Sequence, residues 1–295
     1  MAAFVDGIVQ ASQFPYVFER LLWNSLKAAG FLVVLTAVIG LLEVLSGASA
    51  RHYRTRGFAQ DIFYLFWHRS RFFYAFFLAS FFLLLEPRIR GFNLHLLSGL
   101  PFIPRCIVAY FIGDVVGYWY HRWQHANRFL WAFHTTHHSQ EHLSFATNFR
   151  FHPVEDFLQT VLTFVPMYVI GIEPVTWVPL RVVIEIVTYI QHSQIRWRFG
   201  PLRYIFTTPT FHAIHHSRDP GHFNRNFAPT LALVDYIFGT AVKDDEYPQR
   251  TGLPDVQMPT LRSTLVTPFR LIHQFYFQHS ERSGEPRGAA AAGRD

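Results

Sequence analysis

The chain of 295 residues is short of several things. It has one cysteine, Cys106, which excludes an intramolecular disulfide and any zinc or iron–sulfur site built on thiolates. Cys106 itself reads as a packing residue rather than a nucleophile. Only 16% of the residues are charged, well below the roughly 25% of an ordinary soluble domain. Lysine is nearly missing: Lys27 and Lys243 stand alone, so the net charge of +6 comes mainly from arginine. No G-x-G-x-x-G stretch offers a dinucleotide phosphate cradle. Residues 1–27 lack the basic start followed by an apolar core that marks a cleavable signal peptide. In so weakly charged a chain the arginines read as markers of cytoplasmic loops, and no nucleic-acid partner is expected.

What is abundant is apolar. Half of the residues are hydrophobic, 18% are aromatic, and phenylalanine alone occurs 32 times. Ala28 to Leu45 forms a first apolar span, and Phe72 to Leu85 a second, extended upstream by Ile62 to Trp67. Ile103 to Tyr120 is a third, less apolar one that runs straight into His121. Phe157 to Ile172 and Val175 to Ile190 form a hairpin broken around Gly171 and Pro174. Several of these fall short of the roughly 20 apolar residues of a full crossing, and the hairpin suits half-insertion. Arg51, Arg54, Arg56, Arg69 and Arg71 lie between the first two spans, against Arg88 and Arg90 in the next loop. The positive-inside rule then makes the first loop cytoplasmic. Counting crossings from there brings His121 and the end of the hairpin, His192, to the same cytoplasmic face.

Histidine is the informative residue. Of 17 histidines, 12 fall between His121 and His222. Eight form three tight groups: His121 and His125 in H-R-W-Q-H, His134, His137 and His138 in H-T-T-H-H, and His212, His215 and His216 in H-A-I-H-H. Surface or core histidines without a common role would scatter. Neutral imidazole is the commonest protein metal ligand, and eight are too many for one ion and about right for two. On a helix, residues at i and i+3 or i+4 share a face, so each group can aim several nitrogens at one place. The adjacent pairs diverge by about 100° around a helix, so their rings can serve different metals. No group contains the internal glutamate of an H-E-x-x-H hydrolase; the nearest carboxylates are Glu141, Glu155 and Asp156. Imidazole suits iron as well as zinc and copper, and the pattern favours redox chemistry over hydrolysis.

The stretch from Asp114 through His121 and His125, then Trp131, His134, His137, His138 and Ser139, resembles the fatty acid hydroxylase / sterol desaturase superfamily. So do Thr208-Pro209, His212, His215, His216, Asn224, Asn226, Asp235, Gly239 and Thr240, and also Arg150-Phe-His152-Pro153 and Gln191-His192-Ser193. The resemblance covers about residues 105–242. It implies an all-α integral membrane fold, with about four to five membrane-inserted helices and a cytoplasmic helical cap holding a histidine-rich dimetal site. N-terminal membrane helices would occupy 1–102, the catalytic domain 103–280 and a disordered tail 281–295.

The resemblance further implies two iron ions, O2 as co-substrate, and oxidation of a C–H bond in a membrane lipid. The candidate lipids are a fatty acyl chain, a sterol-like lipid, an ether lipid and an aminolipid. Hydroxylation is favoured over desaturation because it needs a single hydrogen abstraction. Carried over by position, His121, His125, His134, His137, His138, His212, His215 and His216 are the metal ligands, and His192 a ninth. The family commonly sets asparagines around that histidine, where this chain has Gln191 and Gln194. Around these ligands, Asp114 could orient an imidazole through its other ring nitrogen or simply pack or cap a helix. His152 could ligate or donate, and His222 could line the way in for substrate. Phe111, Trp119, Phe145, Phe149 and Phe157 are candidate channel or core residues. Without a redox cofactor motif, electrons must come from a separate ferredoxin, cytochrome or reductase, for which Arg122, Arg196, Arg198 and Arg203 offer a cationic surface. The rival readings are a desaturase with the same centre and a non-redox zinc-binding membrane protein.

Overall fold

The computed structural model describes residues 14–70, 85, 88–172, 174–242 and 246–278. The expected second span, but for Leu85, and the expected tail lie outside these residues. Among the described residues every regular element is helical, and the one extended pairing is an isolated bridge between Ser217 and Thr251. The helices are α1 (Phe14–Leu45), α2 (Arg56–Arg69), α3 (Phe102–Ala126), α4 (Arg128–His138), α5 (Pro153–Ile170), α6 (Pro174–Gln191), α7 (Pro209–His215), α8 (Ala232–Phe238) and α9 (Leu261–His273).

Two of them, over Leu22–Leu45 and Phe102–Ala126, are long and apolar enough to cross a membrane. α1 turns one stripe inward, where Leu32 and Ile39 pack with Leu65, Phe145 and Tyr189. Its other face leaves Val33 71% and Leu45 67% exposed. A soluble domain rarely presents so much contiguous apolar surface.

The long helix α3 is the spine of the site. It is followed at once by α4, because Asn127 breaks the helix in an extended conformation and its side chain accepts the N–H groups of Phe129 and Leu130. α5 starts at Pro153, pre-set for a first helical position, with the His152 ring accepting the Val154 N–H. The hairpin therefore begins at Pro153, ahead of the apolar run from Phe157 that announced it. It turns at Gly171, whose φ of +94° suits glycine. A Cβ there would sit 2.6 Å from the His95 Cα. The preceding loop is tied across this turn by Leu94 N–H to the Val169 carbonyl and Leu96 N–H to that of Ile170.

A buried ion pair fixes the end of α4. Arg150 donates to Asp61 at 3.0 Å and to the Thr136 carbonyl at 3.0 Å. Asp61 also accepts from Gln140 and Thr147. This network joins α2, the end of α4 and the 3-10 turn Phe145–Phe149, and every member is buried. Thr136 completes it by donating to the Thr264 carbonyl of α9.

Candidate metal centre

The nine histidines singled out by the sequence converge from α3, α4, the end of α6 and α7. They form two nests. His121, His125, His134, His138 and His215 make the first, and His137, His192, His212 and His216 the second. Within each, the offered atoms lie within 4.8 Å of one another. The helical geometry explains the sorting. In H-T-T-H-H, the i and i+4 residues His134 and His138 go to the five-histidine nest and His137, at i+3, to the other. In H-A-I-H-H the assignment is reversed: His212 and His216 enter the four-histidine nest and His215 the first. The two motifs thus interleave, each contributing to both positions.

The outer ring nitrogens show which tautomers the site requires. His121 Nδ1–H donates to the Phe227 carbonyl at 2.7 Å and His215 Nδ1–H to that of Arg225 at 2.7 Å. His192 Nδ1–H donates to the Thr188 carbonyl at 3.0 Å, and His134 Nδ1 lies 2.5 Å from Glu155, to which it donates when the carboxyl is ionised. Each of these imidazoles then carries a bare lone pair on Nε2. Yet His121 Nε2 and His134 Nε2 face each other at 3.1 Å, and His125, His138 and His215 turn buried Nε2 atoms with no hydrogen-bond partner into the same space. Burial holds His134, His137, His138, His212, His215 and His216 well below the ordinary histidine range, and His192 down to about 4. Neutral lone pairs aimed at one another repel, and a cation between them converts the repulsion to attraction. The donor set fits a metal at each nest, and neutral imidazole suits iron, zinc or copper.

Aromatic rings enclose the nests. Phe151 stacks on His137 with centroids 5.0 Å apart, Trp131 lies against His125 and His138, and Phe227 sets its edge against His121, His125 and His215. A cavity of about 270 Å³ opens onto His125, His138, His215 and His216, and Trp131, Phe223, Asn224, Leu253 and Pro254 form its other walls.

The remaining candidates lie around the nests. The Asp114 carboxylate accepts from the Thr230 N–H, the Thr230 hydroxyl and the Leu231 N–H. It therefore acts on the loop that carries the Phe227 carbonyl rather than on an imidazole. His152 is the N-cap of α5 and its Nε2 lies 3.2 Å from the Leu265 carbonyl, which places it outside both nests. His222 closes a 3-10 turn and joins neither nest, while the two residues after it, Phe223 and Asn224, border the cavity. Phe145 belongs to the core with Leu65, and Phe149 packs against it. Phe111 and Trp119 are partly exposed on α3.

Two residues take a place at the site that the sequence did not assign them. Glu155, on the first turn of α5, is 1% exposed and accepts from His134; Gln124, between the two histidines of α3, donates to the same oxygen at 2.8 Å. Glu155 follows His152-Pro153, a helix start, so its sequence setting signals capping and hides its second contact. The residues Asn226, Asp235 and Thr240, noted only as part of a resemblance, acquire a physical role. Asp235 accepts from Phe227 N–H, Ala228 N–H and the Thr240 hydroxyl, and Asn226, at φ +57°, donates to the Phe211 carbonyl. Together they fold the loop that presents the carbonyls of Arg225 and Phe227 to His215 and His121.

Comparison with known proteins agrees with this geometry. Residues 106–240, which contain all nine histidines, match the family model described as fatty acid hydroxylase. An ornithine lipid hydroxylase of Rhizobium tropici is 29% identical over 140 residues, 48% of this chain and 42% of that protein. An alkylglycerol monooxygenase of Xenopus tropicalis is 34% identical over 140 residues, covering 46% of this chain and 30% of the relative. A very-long-chain aldehyde decarbonylase of Oryza sativa subsp. japonica is 29% identical over 200 residues, 60% of this chain and 30% of its own length. The chain thus spans less than half the length of each relative. No solved structure matches it. The chain's likeness to the fatty acid hydroxylase family is carried by residues 106–240.

Proposed function

We propose that the protein is an O2-dependent membrane lipid oxidase that hydroxylates a C–H bond at a histidine-ligated di-iron centre. The observation that carries this reading is the pair of neutral nitrogen nests, whose facing lone pairs at His121 and His134 call for a cation. His121, His125, His134, His138 and His215 would hold one iron and His137, His192, His212 and His216 the other. Such a centre, when bound, supplies the reductive activation of O2 and the abstraction of hydrogen from an unactivated carbon. The chain's own residues do the rest. The carbonyls of Phe227, Arg225 and Thr188 and the Glu155 carboxylate fix imidazole tautomers and ring directions. The cavity walled by Trp131, Phe223, Leu253 and Pro254 receives the alkyl group and excludes water beside the histidines.

The substrate class is a membrane lipid: the relatives' names specify an ornithine lipid and an alkylglycerol as the compounds they oxidise. α3, at 25 residues, is about 37 Å long, more than the roughly 30 Å hydrocarbon core. His121 and His125 near its end therefore reach the aqueous side, which the arginine asymmetry makes cytoplasmic. Electrons come from a separate donor protein. Arg196, Arg198 and Arg203, which border one cavity beside Trp197 and Tyr204, give an acidic donor a place to meet the chain.

The test is metal analysis of the purified full chain together with lipid analysis of cells producing wild type or His137→Ala. Two irons per chain, O2 uptake, and a lipid gaining one oxygen atom only with wild type are expected. Loss of two hydrogens without gained oxygen would favour the desaturase. Zinc that iron cannot replace, with no O2 uptake, would sink the oxidase reading.

A further inference from the structure

Glu155 is a buried carboxylate at the edge of a charge-neutral site. Its titratable contact among the described residues is the neutral His134 ring, at 2.5 Å. Its other side-chain partner among them is the neutral Gln124 amide, on the same oxygen, while Oε2 is buried without a hydrogen-bond partner. A buried charge is tolerated only when it is paired and hydrogen-bonded. Gln124 supplies a hydrogen bond but no positive charge, and His134 turns its other nitrogen towards His121. A positive charge that balances the ionised form of Glu155 has one route among these contacts, through the His134 ring from whatever cation that ring binds.

The two nests differ in this respect. In the five-histidine nest, three rings have their outer nitrogen engaged: His121 by a carbonyl, His215 by a carbonyl and His134 by a carboxylate. In the four-histidine nest only His192 is so held, while Nδ1 of His137, His212 and His216 is buried with no hydrogen-bond partner. A ligand imidazole that donates its other N–H to a carboxylate is oriented and made more basic. Resting on the reading of the nests as metal positions, we propose that Glu155 is a positioning residue for the five-histidine position. Acting through His134 and held in place by Gln124, its negative charge makes that position the tighter of the two, so the four-histidine position gives up its metal first.

The bland alternative is that Glu155 serves the start of α5, in whose first turn it lies. Glu155→Gln separates the two roles, since glutamine keeps an acceptor for the cap and for His134 but removes the charge. Full-length wild type and variant would be loaded with 57Fe(II), challenged with graded chelator, and assayed for iron per chain and by Mössbauer spectroscopy. Wild type is expected to lose its two irons in two steps. In Glu155→Gln the later step should move to about 10- to 100-fold lower chelator, with one of two Mössbauer signals altered and the earlier step unchanged. Gln124→Met, which frees Glu155 without touching its charge, should move the same step several-fold, and it decides the matter if Glu155→Gln fails to fold. Wild type holding two irons with neither variant shifting the later step overturns the inference alone and leaves capping as the role. Wild type that takes up no iron overturns the metal reading and the inference with it.

Discussion

The two H-x-x-H-H segments share a pattern and differ in how the protein holds them. His134 to His138 occupy the end of α4, an 11-residue helix whose last seven residues are all buried. That end is clamped by a buried ion pair, Arg150 with Asp61, and by Thr136 bonded to α9. His212 to His216 lie on and just after the seven-residue α7, too short to be stable alone. They are held by hydrogen bonds that end on backbone: Thr208 caps Phe211 N–H, Asn226 donates to the Phe211 carbonyl, and Gly252 N–H donates to the His216 carbonyl. A ligand-bearing segment can be fixed by one expensive side-chain network or by several modest backbone contacts. The first fails all at once, and the second fails by degrees.

The sharpest break of this symmetry is chemical. His137→Ala removes a donor from the four-histidine nest and His215→Ala one from the five-histidine nest. Both should abolish product formation, yet each should leave iron at the other position, measurable as metal content falling towards one per chain. Next in size is Arg150→Ala, which strands the Asp61 carboxylate. Losing one partner of a buried pair costs about 3–5 kcal/mol, so thermal unfolding in detergent should drop steeply and cooperatively. On the other segment, Asn226→Ala should cost only about 1–3 kcal/mol from its unsatisfied partners, plus strain at φ +57°. Asn226→Gly, which relieves the strain, should recover part of that loss in the same melting assay. The smallest effect belongs to Asn127→Ala, the loss of the α4 N-cap, at about 1 kcal/mol. Were Arg150→Ala no more damaging than Asn226→Gly, the contrast between the two segments would fail.

Much of the site was legible because helical periodicity is local. The spacing of His134, His137 and His138 already dictates that neighbours diverge, and the structure sorts them into separate nests accordingly. The hairpin was legible from Gly171 and Pro174, which punctuate an apolar run. What stayed hidden depends on contacts distant in sequence. Asp114 lies two turns from His121, and its sequence setting leaves orienting an imidazole and packing or capping both open; its carboxylate is taken by backbone N–H groups more than a hundred residues away. Glu155 stands out only as a carboxylate near the histidine groups, and nothing local reveals that α5 carries it to His134. Orientation of a side chain around its helix can be read from spacing, but what stands opposite it is set by tertiary packing.

The interleaving of the two motifs also bears on how the protein matures. Until α7 has been made and folded back, the four-histidine nest has only His137 and His192, and the five-histidine nest lacks His215. Neither can be finished by a partly synthesised chain, nor by one whose hairpin has not delivered His192. On the proposed reading of the nests, both are completed only late in the making of the chain, once α7 has folded back. Full metal occupancy would then report on correct assembly as well as on readiness for chemistry.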